Sequence, residues 1–134
     1  MSLDSALSKV QTTVPQCVAV GVVDLTTGML LGVKTVDSHP AEVLDLVAAA
    51  TGDLFQGENV SAIEKTFRKI RGQRDDGAHY FKEIVIFSEN LLHIFQRCAR
   101  NENIILTCVC RKNANLGMAL VKARGELENV ERQV

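Results

Sequence analysis

Leu3, Leu7, Val10 and Val14 recur at steps of three and four residues, the spacing that lines one face of a helix, with Asp4 or Ser5 placed to cap it and Pro15 to stop it. The stretch CVAVGVVDLTTGMLLGVKTV, Cys17 to Val36, follows, apolar on both sides of DLTTG. Asp24, Thr26, Thr27 and Gly28 supply turn chemistry there, and Gly28 accepts a positive φ without a Cβ clash, so the stretch reads as a β-hairpin. Strands apolar on both faces require cover above and below the sheet.

DSHPAEVLDLVAAATGDLF offers that cover. Asp37 or Ser38 can cap a helix, Pro40 suits its first turn, and Leu44, Val47, Ala48, Thr51 and Phe55 form its stripe. Ala48, Ala49 and Ala50 permit close packing. Gly52 and Gly57 weaken the helix, and the later stripe of Ile63, Phe67 and Ile70 runs about one residue out of phase with the first. SAIE, Ser61 to Glu64, resembles a capping box, so a break and restart is expected there.

RGQRDDGAH, Arg71 to His79, has the glycines and charges of an exposed loop. YFKEIVIFSENLLHIFQRC reads as two strands turning at Ser88 to Asn90, and NIILTCVC as a third after the polar RNEN. In NANLGMALVKARGELENVERQV, Asn113 or Asn115 caps a closing helix with Leu116, Leu120, Ala123 and Leu127 along one side. Short connections within each strand group favour antiparallel pairing. The expected fold class is α/β (α+β), a five-stranded antiparallel sheet with helices on both faces in the order α-β-β-α-β-β-β-α, the second helix broken or extended.

The 134 residues suit one domain, 1–134, and the composition, 46% hydrophobic and 23% charged with a formal net charge of -1, is that of an ordinary globular chain with no global affinity for nucleic acid. No run approaches the ~18 apolar residues of a membrane span, so no membrane insertion is expected. MSLDSALSKV lacks a basic region followed by a hydrophobic core, which favours a cytoplasmic location. Cys17, Cys98, Cys108 and Cys110 sit in strand-like runs and read as reduced and buried. Cys108 and Cys110 share a strand face, so a metal or redox site is geometrically conceivable if Cys17 or Cys98 comes alongside.

This order and spacing resembles the Roadblock/dynein light-chain family, which has a profilin-like fold, and within it a stand-alone bacterial-type member. The resemblance covers nearly the whole chain and rests on VAVGVVDLTTGMLLG, the Ala-rich helix Ala41 to Phe55, the strand triplet from Phe81 to Arg111, and NANLGMALVKAR. It implies a homodimer in which third strands pair edge to edge and second helices lie together across the joined sheet. On that reading Val43, Leu44 and Val47 of the helix and Tyr80, Phe81, Glu83, Ile84, Val85 and Phe87 of the strand form the interface. YFKEIVIF permits this: it is long, free of proline and guarded only by Lys82 and Glu83. The segment Gln56 to Asp76 is longer than the family's usual link, which bears on whether its partner-binding surfaces remain open.

Chemistry is sparse. GDLFQGEN has the two-glycine spacing that begins a phosphate-binding loop, but Glu58 and Asn59 stand where a cation is needed. His39, His79 and His93 show no metal-ligand spacing; His93, alternating with Leu91 and Phe95, reads as a buried, hydrogen-bonded residue. No serine, threonine or cysteine has a nucleophile's setting. No enzyme activity, catalytic residue or cofactor is therefore expected. Lys65, Arg68, Lys69, Arg71 and Arg74 form a local basic cluster, either a solvated face or a contact surface for an acidic protein or anionic lipid. Two functions follow. One, implied by the resemblance, is a homodimeric module that regulates or scaffolds a small Ras-like GTPase or a motor or signalling complex; the other is a small-molecule or metal/redox sensor using the cysteines.

Overall fold

In the computed structural model the described residues are 2–36, 41–72, 79 and 81–134, with 41–45 described by backbone alone. Ser2, rather than Asp4 or Ser5, caps the first helix, α1 (Leu3–Thr13): its hydroxyl accepts from the Ser5 N–H while the Ser5 hydroxyl accepts from the Ser2 N–H, a reciprocal capping box. The hairpin follows as β1 (Cys17–Asp24) and β2 (Met29–Thr35), turning where Gly28 takes φ +71°. Next come α2 (Ala41–Gln56), α3 (Glu58–Ile70), β3 (Glu83–Phe87), β4 (Leu91–Arg97), β5 (Ile104–Arg111) and α4 (Leu116–Arg132), the last capped by Asn115, whose side-chain oxygen accepts from the Met118 N–H.

The helix break lies at Gly57, four residues before the expected Ser61, which sits inside α3. The reason is steric. The Gly57 N–H donates to the Asp53 carbonyl, and a Cβ on Gly57 would stand 2.7 Å from that oxygen, so only glycine can turn the chain here. The capping expectations at Asp37, Ser38 and Pro40 lie outside the described residues, as does most of the loop between α3 and β3.

All strand pairs are antiparallel, in the order β2-β1-β5-β4-β3, so the first hairpin joins the strand triplet through β1 and β5. Helices α1 and α4 cover one face, packing Leu7, Val10, Ala119, Ala123 and Val130 against Val20, Val22, Ile94, Leu106 and Cys108. The other face takes Ala48 and Phe55 of α2 against Val23, Phe95 and Ile105. Only half of the hairpin is as apolar in its surroundings as in its sequence. β1 is largely buried, whereas β2, at the sheet margin, leaves Met29, Leu31 and Val33 exposed.

Candidate functional site

β3 ends the sheet, and among the described residues no strand lies beyond it. Its outward groups follow from the ladder. The Ser88 N–H donates to the Leu91 carbonyl at 2.9 Å and the Arg97 N–H to the Lys82 carbonyl at 2.8 Å, both in the register that pairs Glu83 with Gln96 and Phe87 with Leu92. Bonded and non-bonded pairs alternate in an antiparallel ladder. Ile84 and Ile86 therefore bond to β4, whereas Glu83, Val85 and Phe87 aim their N–H and C=O groups away from it.

Side chains alternate differently, across the sheet. Val85 packs on the α1/α4 core and Ile84 on the α2 core, while Phe87 is 56% exposed. The Glu83 carboxylate turns to α4, where Arg124 grips it in a fork at 2.6 and 2.9 Å and Gln96 donates to it at 2.8 Å. Only the backbone of Glu83 thus faces the edge. The Arg124 hydrogen bonds hold its carboxyl below the ordinary carboxylate value, against the opposing effect of burial. A depressed folded-state pKa stabilises the fold above the unfolded value near 4.5 and ceases to do so as pH falls through the lower folded one. Arg124→Gln is accordingly expected to lower the urea midpoint at neutral pH, and the difference from wild type to shrink on acidification below 4.5. A difference that persists unchanged in acid would show that Arg124 acts by packing alone.

The entrance to β3 is fixed by a buried arginine. Arg97, 3% exposed, donates from Nε to the Phe81 carbonyl at 3.0 Å, from Nη1 to the Glu102 carbonyl at 2.7 Å and from Nη2 to the Phe55 carbonyl at 3.3 Å, with its guanidinium 4.9 Å from the centre of the Phe55 ring. Burial lowers its pKa, opposed by the charges of Glu64 and Glu102. Glu64, also buried, accepts from the Phe81 N–H at 3.0 Å and lies 3.5 Å from His79 Nδ1. These contacts tie α2, α3, the β4–β5 turn and the start of β3 together. Neither Arg97 nor Glu64 stands out in the sequence as a structural centre, because their partners come from remote segments.

The helices carry the remaining expected surfaces. On α2, Leu46 and Val47 are exposed; the side chains of Val43 and Leu44 lie outside the described residues, as do Tyr80 and Arg74. On α3 the stripe of Ile63, Phe67 and Ile70 faces outward, Ile70 being 75% exposed, and Phe67 meets Phe81 edge to face. Lys65, Lys69 and Arg71 are exposed and Arg68 half-buried on the same helix and its cap. The basic cluster therefore lies beside an apolar strip that periodicity alone would assign to the core.

The four cysteines are free thiols, all buried. Cys17 and Cys110 are cross-strand partners and hydrogen-bond to each other, which lowers the pKa of Cys17 and raises that of Cys110; burial raises Cys98 to about 12 and Cys108 further. Among the described residues no group of three or more His, Cys, Asp and Glu side chains is placed to hold a metal ion. His93 is half-buried, its Nε2 2.9 Å from the Ser88 hydroxyl, and burial lowers its pKa. No helix among the described residues is long and apolar enough to cross a membrane.

No protein-family model matches the chain, and no curated protein does. Solved structures do. A Roadblock/LC7 domain from Streptomyces avermitilis superposes with a TM-score of 0.69 at 17% identity over 98% of this chain and 97% of that one. The gliding protein MglB from Thermus thermophilus gives 0.69 at 20% identity over 96% and 85%, and an MglB with a tetrameric arrangement gives 0.69 at 19% over the same shares. Five antiparallel strands in this order, covered on both faces and matched along nearly the whole length, give this chain the Roadblock/LC7 fold.

Proposed function

We propose that the chain is a non-enzymatic, cytoplasmic interaction module that works as a homodimer and regulates or scaffolds a small Ras-like GTPase or a motor or signalling complex. The observation that carries this reading is the outward backbone of Glu83, Val85 and Phe87 on a terminal strand without proline. Pairing of two β3 strands would extend the sheet across two copies, with Val43, Leu44 and Val47 of α2 meeting above it. Tyr80, Phe81, Ile84 and Phe87 complete the assigned interface. Oligomerisation is at home in this fold, since MglB occurs in a tetrameric arrangement.

The partner surface is assigned to α3 and the residues after it. Lys65, Arg68, Lys69, Arg71 and Arg74 supply charge, and the exposed Ile63, Phe67 and Ile70 supply apolar contact. Charge at the rim speeds encounter and apolar side chains at the centre provide affinity. The module contributes surface rather than bond-making groups, so any effect on GTP hydrolysis arises from positioning the GTPase's own residues. Immobilised protein is expected to retain a Ras-like GTPase from native extract in one nucleotide state, and the Ile63→Asp, Ile70→Asp double variant, at two exposed positions, to release it while remaining dimeric. Retention of no GTPase with either nucleotide would overturn the partner assignment.

A further inference from the structure

Two of the four thiols, Cys17 and Cys110, are brought together by the fold. Cys98 stands at the other end of β5, where its N–H donates to the Ile104 carbonyl. The Arg111 N–H donates to the Gln16 carbonyl at 3.0 Å, so Gln16 and Arg111 form a bonded pair of the antiparallel ladder and the next pair, Cys17 with Cys110, is a non-bonded one. Cα atoms in such pairs lie ~4.5 Å apart and their side chains approach most closely. That spacing falls within the ~4.4–6.8 Å that a disulfide spans.

A local irregularity makes the pairing possible. Cys17 and Val20 are separated by an odd step, which would put them on opposite faces of a regular strand, yet both belong to the core under α1 and α4. The register shifts between Cys17 and Ala19, leaving Val18 as an extra residue on β1, and this bulge turns Cys17 to the face that holds Cys108 and Cys110. Gln16, just before it, is the only non-glycine among the described residues with a positive φ, 52°, a conformation uncommon for a residue with a Cβ. The hydrogen bond from Cys110 lowers the Cys17 pKa against the opposing effect of burial, and the backbone of Ala19 and Val109 adds to it. Of the two sulfurs, Cys17 is thus the one that ionises more readily. It also keeps more surface than the other three cysteines, 9% against 1% or less.

We propose that Cys17 and Cys110 are a peroxide-oxidised thiol pair, Cys17 the attacking sulfur and Cys110 the resolving one, which closes a disulfide between β1 and β5. The Cys17 thiolate attacks one oxygen of hydrogen peroxide: an S–O bond forms, the O–O bond breaks, and the departing hydroxide recovers the proton that Cys17 gave up and leaves as water. The Cys110 sulfur then attacks the sulfenic acid on Cys17, forming the S–S bond and breaking the S–O bond, and its proton leaves with the hydroxyl as a second water. Two thiols are oxidised by two electrons in all, and one peroxide is reduced to two waters. Cys110 needs no opening to solvent for its step, because its target is the neighbouring sulfur. The pair lies under α1 and α4, away from the β3 edge, α2 and the α3 surface, so it stands or falls independently of the GTPase reading.

The test treats the reduced full chain with hydrogen peroxide, in buffer and in urea, alkylates it with N-ethylmaleimide in denaturant and maps it by mass spectrometry. In buffer two of the four free thiols are expected to be lost, with one pair of linked peptides joining Cys17 to Cys110. The bond closes a loop of roughly 90 residues, so the melting temperature is expected to rise by about 10 °C. Dithiothreitol should reverse both changes. Cys17→Ser and Cys110→Ala should each abolish the link, and in Cys110→Ala the Cys17 sulfenic acid should be trapped by dimedone. Cys98→Ala should oxidise as wild type does. Retention of all four thiols in buffer at a peroxide concentration that oxidises the chain in urea overturns the proposal. So does a link that forms only in urea, that runs through Cys98 or Cys108, or that joins two chains.

Discussion

Replacing Arg97 by methionine is expected to cost the fold about 3–5 kcal/mol, the range for breaking a buried charge arrangement by removing one partner. That is a large part of the ~5–15 kcal/mol that holds a domain of this size together. Methionine roughly fills the space, so the loss is not chiefly one of packing. It leaves the carbonyls of Phe55, Phe81 and Glu102 without the donors they now have from Arg97, and it removes the positive charge that Arg97 places near the buried Glu64. Arg97→Lys keeps the charge but replaces a planar fork by a single ammonium that cannot span three carbonyls on three segments, so an intermediate loss is expected. Urea unfolding followed by circular dichroism measures both, provided the slope stays constant. A methionine variant within about 1 kcal/mol of wild type would refute the role given to Arg97.

The same residue shows where a sequence stops being legible. In LLHIFQRC, Arg97 looks like the polar end of a strand turning into solvent, and nothing local indicates that α2, the approach to β3 and the β4–β5 turn all converge on it. Elements set by local rules were legible: the hairpin turn needs a residue that tolerates φ +71° at Gly28, and the Ser88 to Asn90 turn separates two apolar runs. The position of the helix break was less so. Ser61 to Glu64 has the spacing of a cap, but the steric limit at Gly57 is visible only once the Asp53 carbonyl is in place.

Periodicity misled in another way on α3. Ile63, Phe67 and Ile70 do share one helical face, as their spacing requires, yet that face points outward while Glu64 points in. A periodic stripe says that a face is apolar; it does not say whether the chain itself will cover it. The Glu64 carboxylate goes inward because Phe81 N–H meets it from a distant segment, and Arg97 contributes opposite charge nearby. Thr107 of β5 was illegible for the same reason. It reads as a good strand former, and nothing local shows that its hydroxyl is buried without a partner opposite Gly21.

Val85→Pro is expected to convert a dimer into a folded monomer, whereas Ile84→Pro is expected to damage the fold itself. Adjacent residues on one strand give opposite outcomes because the ladder alternates. The Ile84 N–H points to β4 and is spent inside the sheet, so proline there removes an internal hydrogen bond and pushes its ring against the neighbouring strand. The Val85 N–H points outward, where proline spares the ladder to β4: it removes a donor facing a second copy and trims a partly buried side chain on the α1/α4 core. In an edge-to-edge pair related by two-fold symmetry each substitution acts twice. Two lost hydrogen bonds at about 1 kcal/mol each weaken dimerisation about 30-fold, before counting the clash of two rings at the seam. Sedimentation of both variants and wild type at equal concentration, with thermal unfolding of each, separates the cases. Wild type should sediment as a dimer, Val85→Pro as a monomer with near-native melting, and Ile84→Pro should lose cooperative melting. A Val85→Pro protein whose dimer affinity stays within about threefold of wild type removes the β3 edge as the interface, because pairing of that edge would lose a hydrogen bond in each copy and bring a proline ring to the seam.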